Sequence, residues 1–122
     1  MPTARFNAAG GPIQVAIACE PNRNGSYRIF LWEVDRNRIV REYAGNFLNP
    51  ADDVHDLDLP NPQHDGRLVE GMIVVAIPPG TGPSIVSMEI RQDGNLLARE
   101  EREVPPDSPG TMVDLFIELL AI

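Results

Sequence analysis

The chain has 122 residues, enough for one domain and too short for two ordinary ones, so residues 1–122 are read as a single unit. Its net charge is −8 with a pI near 4.6, and all ten cations are arginine. An acid excess opposes docking on a phosphate backbone, which needs clustered cations. The absence of lysine removes Schiff-base and pyridoxal chemistry and any P-loop.

A single cysteine, Cys19, excludes an intrachain disulfide. The opening MPTARFNAAGGPIQ lacks the apolar core of a signal peptide, and the longest apolar run, residues 72–79, falls far below the roughly 20 residues of a membrane span. A cytoplasmic location with no membrane partner is the expectation.

Strand signals then recur between turn residues. IQVAIAC puts Ile13, Val15, Ile17 and Cys19 on one face, with Gln14, Ala16 and Ala18 opposite. Those small side chains permit close approach by something else. PNRNGS is expected to turn at Asn24-Gly25. YRIFLWEV is apolar on both faces, as a central strand is. IVREYAGNFL is another strand, broken or bulged at Gly45. DVHDLDLP sets His55, Leu57 and Leu59 against Val54, Asp56 and Asp58.

GMIVVAIPPG is a continuous buried run, and SIVSMEIRQ sends Val86, Met88 and Ile90 inward. Asp93-Gly94 fits a type I′ hairpin, returning as LLAREEREV, whose mixed charges suit an edge. The final GTMVDLFIELLAI fits a helix capped by Thr111 or a strand burying Val113, Leu115, Ile117 and Leu119. The strand is favoured, because every preceding element is one. Seven to eight short strands predict an all-β fold, a single antiparallel β-sandwich of immunoglobulin-like or jelly-roll type.

Generic catalytic signatures fail. No serine sits in a nucleophile elbow, and Cys19 ends an apolar strand, where a buried inert thiol is expected. The segment NPADDVHDLDLPNPQHD, residues 49–65, holds both histidines. It reads chiefly as a solvated edge with no cofactor. The alternative is a Ca²⁺ site of Asp52, Asp53, Asn61 and Asp65, with EF-hand spacing excluded by Pro60 and Asn61. A transition-metal site would draw on His55 and His64 with Asp56 or Asp65, and a small hydrolase would centre on His55 or His64.

Trp32 and Tyr43 form a sugar-stacking platform if both point outward; Trp32, sharing a face with Phe30 and Val34, is expected in the core instead. Phe116, Leu120 and Ile122 give the last segment a second apolar face. The expected function is a non-enzymatic binding or assembly module, docking a protein partner or a second copy. The runner-up is a carbohydrate-binding, lectin-like module.

Overall fold

The structure, a computed structural model, describes residues 1–48 and 53–122. Asp52 of the acidic segment lies outside the described residues. Among the described residues there are nine strands, one more than the upper expectation, and one 3₁₀ turn at Asn61–His64. The strands are β1 (Thr3–Phe6), β2 (Ile13–Glu20), β3 (Asn24–Trp32), β4 (Ile39–Asn46), β5 (Asp53–Asp56), β6 (Leu68–Ile77), β7 (Ser84–Gln92), β8 (Asn95–Val104) and β9 (Ser108–Ala121).

They form two sheets packed together, ordered β1-β9-β6-β3-β4 and β5-β2-β7-β8. Every pairing is antiparallel except β1 with β9, which run parallel from Thr3↔Glu118 to Phe6↔Ala121. The wholly antiparallel expectation is corrected by that pair. A four-residue strand carries too little periodicity for sequence to orient it.

Alternation decides which side chains fill the space between the sheets. Ile13, Val15 and Ile17 of β2 and Val86, Met88 and Ile90 of β7 are all fully buried. They meet Ile29 and Leu31 of β3, Ile73 and Val75 of β6, and Leu115, Ile117 and Leu119 of β9. Each such side chain contributes about 1.5–3 kcal/mol of burial free energy. The last segment is the strand, and its inward set is Val113, Leu115, Ile117 and Leu119 as the pattern required. Asp93 and Gly94 carry φ values of 52° and 78°, and Gln92 faces Asn95, which completes the predicted hairpin. β8 is an edge strand, exposed along most of its length.

Two expectations placed on glycines, a turn and a bulge, fail for steric reasons. Asn24-Gly25 opens β3 instead of turning; the turn lies before it, after the cis Glu20-Pro21 bond. A Cβ on Gly25 would sit 2.3 Å from the Val74 carbonyl oxygen, so that glycine serves a close strand approach. Nor is β4 interrupted at Gly45. The register shift falls between Leu31 and Trp32, and a Cβ on Gly45 would strike the Tyr27 side chain, 2.3 Å from its hydroxyl oxygen and 2.5 Å from the ring.

No helix of the described residues is long and apolar enough to cross a membrane.

Candidate functional site

Every second residue of the five-stranded sheet faces away from the core. On β3 these are Arg28, Phe30 and Trp32; on β6, Glu70, Met72 and Val74; on β9, Met112, Asp114, Phe116, Glu118 and Leu120. The register sets them in rows across β3, β6 and β9: Trp32–Leu68–Glu118, Phe30–Glu70–Phe116, Arg28–Met72–Asp114 and Ser26–Val74–Met112. The result is a half-exposed apolar surface threaded by carboxylates. Phe116 and Leu120 are half-buried here, and Ile122 lies beyond the strand at 88% exposure.

Glu70 sits between the two phenylalanines and accepts a hydrogen bond from Trp32 Nε1 at 2.9 Å. Burial pushes its carboxyl above the ordinary Glu value, and the charge of neighbouring Asp114 pushes the same way. Asp114 Oδ1 is buried with no hydrogen-bond partner among the described residues. Glu70 therefore retains its proton to higher pH than a lone glutamate. The rim carries ion pairs, Arg28 with Glu42 at 3.3 Å and Arg36 with Glu118 at 2.8 Å.

Trp32 is therefore not a core residue. The inward positions of β3 go to Tyr27, Ile29 and Leu31, which leaves the indole half-buried outside, with its N–H satisfied by Glu70. Tyr43 pairs with Ile29 and packs against the edge of the core. Trp32 and Tyr43 thus occupy opposite faces of one sheet, and the stacking platform does not form.

Tyr43 belongs to a cluster between edge strands β4 and β5. Tyr27, only 3% exposed, shares a 2.6 Å hydrogen bond with His55 Nε2, and the Tyr43 ring lies 5.6 Å from the His55 ring. The Tyr43 hydroxyl donates to Asp58. Burial, then the charge of Asp53, raises the Tyr27 hydroxyl far above its ordinary value. Burial and Asp58 bring Tyr43 to about 12. Both phenols therefore stay protonated at neutral pH, and no serine or cysteine hydrogen-bonds to His55 among the described residues. The arrangement latches the two edges together.

His64 is fully buried; its Nε2 donates to the Leu59 carbonyl and its Nδ1 receives Arg67. With both nitrogens engaged and its pKa lowered by burial, it is a neutral structural imidazole. The proposed Ca²⁺ ligands are dispersed. Asp53 pairs with Ile17 on β5, Asn61 clamps the Gly10 and Gly11 carbonyls, and Asp65 caps the Ala121 amide. Among the described residues no three His, Cys, Asp or Glu side chains are grouped to hold a metal ion. Cys19 is buried, its thiol pushed up by burial.

The outer face of the four-stranded sheet carries a shallow depression of about 190 Å³, lined by Ala16, Ala18, Ser87, Glu89, Arg91 and Arg99 with Glu20 and Ile85 at one end. The small side chains Ala16 and Ala18 were its legible signal. Its charged wall was not, because Glu89 on β7 and Arg99 on β8 meet only through the hairpin register. Glu70 and Asp114 were likewise unsignalled, each an isolated acid between apolar neighbours. No family model matches the chain, and no curated protein or solved structure is found similar to it.

Proposed function

We propose that the chain is a non-enzymatic assembly module that pairs with a second copy of itself through the outer face of its five-stranded sheet. The observation that carries this reading is the row Arg28–Met72–Asp114, with opposite charges on either side of β6. A two-fold axis parallel to β6, lying between two facing copies, lays β3 of one over β9 of the other. Arg28 then meets Asp114 of the second copy twice, and Phe30 meets its Phe116 twice. An axis running across the strands would instead oppose Asp114 to Glu118, acid against acid. Either axis can bring Glu70 against its own copy, so the two Arg28–Asp114 contacts of the first are what favour it. Within the sandwich class an immunoglobulin-like or jelly-roll type is proposed, supported by the two-sheet layout.

Sedimentation across a concentration series tests the pairing. Arg28→Asp and Asp114→Arg are each expected to be monomeric where the parent chain is dimeric. An equimolar mixture of the two variants restores both contacts and re-forms a dimer. A parent chain that stays monomeric at all concentrations overturns the reading, as does a mixture that fails to pair.

A further inference from the structure

We infer that the outer face of the four-stranded sheet, on the opposite side of the sandwich, holds a binding site for a neutral polyhydroxyl ligand the size of one sugar ring. The floor is built by rows Ala16–Glu89–Arg99 and Ala18–Ser87–Glu101 across β2, β7 and β8. Ala16 and Ala18 leave the backbone low. Ser87, between fully buried Val86 and Met88, points outward onto that floor and is only 4% exposed. Its hydroxyl has no hydrogen-bond partner among the described residues, although it lines the depression. A hydroxyl with no protein partner that opens on a depression offers a donor and an acceptor to a guest.

The wall is pre-organised. Glu89, whose side chain is 15% exposed, accepts Arg91 Nε at 2.9 Å and Arg91 Nη2 at 2.6 Å on one oxygen. Its other oxygen accepts Arg99 Nη1 at 2.5 Å. Arg99 is fixed from its far side by Glu101, through Nε at 3.0 Å and Nη2 at 2.8 Å. A guanidinium has five N–H donors, and these bonds use three on Arg99. Glu89 keeps lone-pair capacity on the oxygen facing Arg99. The surface therefore presents donors and acceptors side by side, held rigid by one another.

Charge selects the guest. Its charges are spent on one another, Glu89 on Arg91 and Arg99 and Glu101 on Arg99, so a charged guest would have to displace an existing partner. A carboxylate or phosphate would face two acids, and an ammonium two guanidiniums. A vicinal diol donates to Glu89 and accepts from Arg99 with no charge to desolvate. Its C–H face can rest on the Ala16 and Ala18 methyls and against Ile85. The volume equals that of about six liquid waters, which suits one ring and excludes a chain buried end to end.

Amide NMR of the parent chain, titrated separately with D-glucose, D-galactose, D-mannose, sodium acetate and sodium phosphate, tests the site. At least one sugar is expected to shift the Ala16, Ala18, Ser87 and Glu89 amides, with a dissociation constant on the order of a few millimolar. Ala18→Leu, which fills the floor from an outward position, should abolish the shifts, and Ser87→Ala should weaken them several-fold. A chain unresponsive to every sugar overturns the inference, as do shifts centred elsewhere or a stronger response to acetate or phosphate. The dimer-forming sheet is not involved, so failure here leaves the pairing intact.

Discussion

Replacing Phe116 with aspartate separates the proposed interface from the core beneath it, because adjacent residues of β9 serve opposite faces. Phe116 is half-buried on the outside beside Glu70, while Ile117 is fully buried. In a two-fold dimer the substitution occurs twice. If each aromatic anchor at the interface is worth about 1–2 kcal/mol, the pair costs about 2–4 kcal/mol. At 1.4 kcal/mol per decade, dimer affinity falls roughly 30- to 1000-fold. The new carboxylate beside Glu70 and Asp114 acts in the same direction. The folded monomer loses little, since outward changes away from special features usually stay within about 0.5 kcal/mol. Ile117→Ala should do the reverse, destabilising the monomer by about 2–5 kcal/mol. Sedimentation equilibrium gives the first quantity and urea unfolding of dilute protein the second. A Phe116→Asp chain that pairs like the parent, or that unfolds as readily as Ile117→Ala, refutes the assignment of faces.

Three further outcomes follow from the same geometry. The Glu70 carboxyl is raised from its ordinary 4.5 by burial and by Asp114, so the native state holds a proton there that the unfolded chain has released. Its contribution is complete below the ordinary value and is lost as pH rises through the raised one. Facing the second copy's Glu70 at the axis adds burial and like charge, so dimer affinity should also rise as pH falls from 8 towards about 5. Glu70→Gln, which keeps an acceptor for Trp32, should flatten both pH profiles and add about 0.5–1 kcal/mol of stability at pH 8, measured by chemical denaturation. Gly45→Ala forces the Tyr27 ring aside and breaks its bond to His55. Overpacking plus one lost hydrogen bond cost about 2–4 kcal/mol, and a melt should fall by roughly 4 °C per kcal/mol. Filling the floor with Ala18→Leu should leave dimerisation unchanged, since Ala18 faces away from the pairing sheet; sedimentation of that variant decides it.

The two-sheet plan was legible because strand alternation is a local property. Val86, Met88 and Ile90, or Val113, Leu115, Ile117 and Leu119, declare their face without knowledge of any neighbour. Asp93-Gly94 declares a turn in the same way. Trp32 misled because β3 is apolar on both sides, and alternation alone says that two faces exist without saying which is inside. The choice fell to Tyr27, Ile29 and Leu31, whose face meets β2 and β7, a fact of tertiary packing. Gly25 and Gly45 misled for a related reason. Each was read as conformational freedom, whereas each supplies missing volume, beside the Val74 carbonyl or the Tyr27 ring, at contacts between strands.

The acidic segment shows the same limit in its chemistry. Asp53, Asn61 and Asp65 lie within thirteen positions of one another in sequence, and proximity made them a plausible ligand set. The fold spends them on three separate tasks, beside Tyr27, on the Gly10 and Gly11 carbonyls and at the Ala121 amide. The groups that do converge come from distant strands. Glu70 and Asp114 are brought together by the β6–β9 register, and Glu89 and Arg99 by the β7–β8 register. In a sandwich a surface is written across strands, one residue from each. Its chemistry becomes readable only once the register is known, and here the register gives the two outer faces different characters. One is aromatic and acid-paired, suited to a matching copy. The other is small-floored with its charges paired, suited to a small neutral guest.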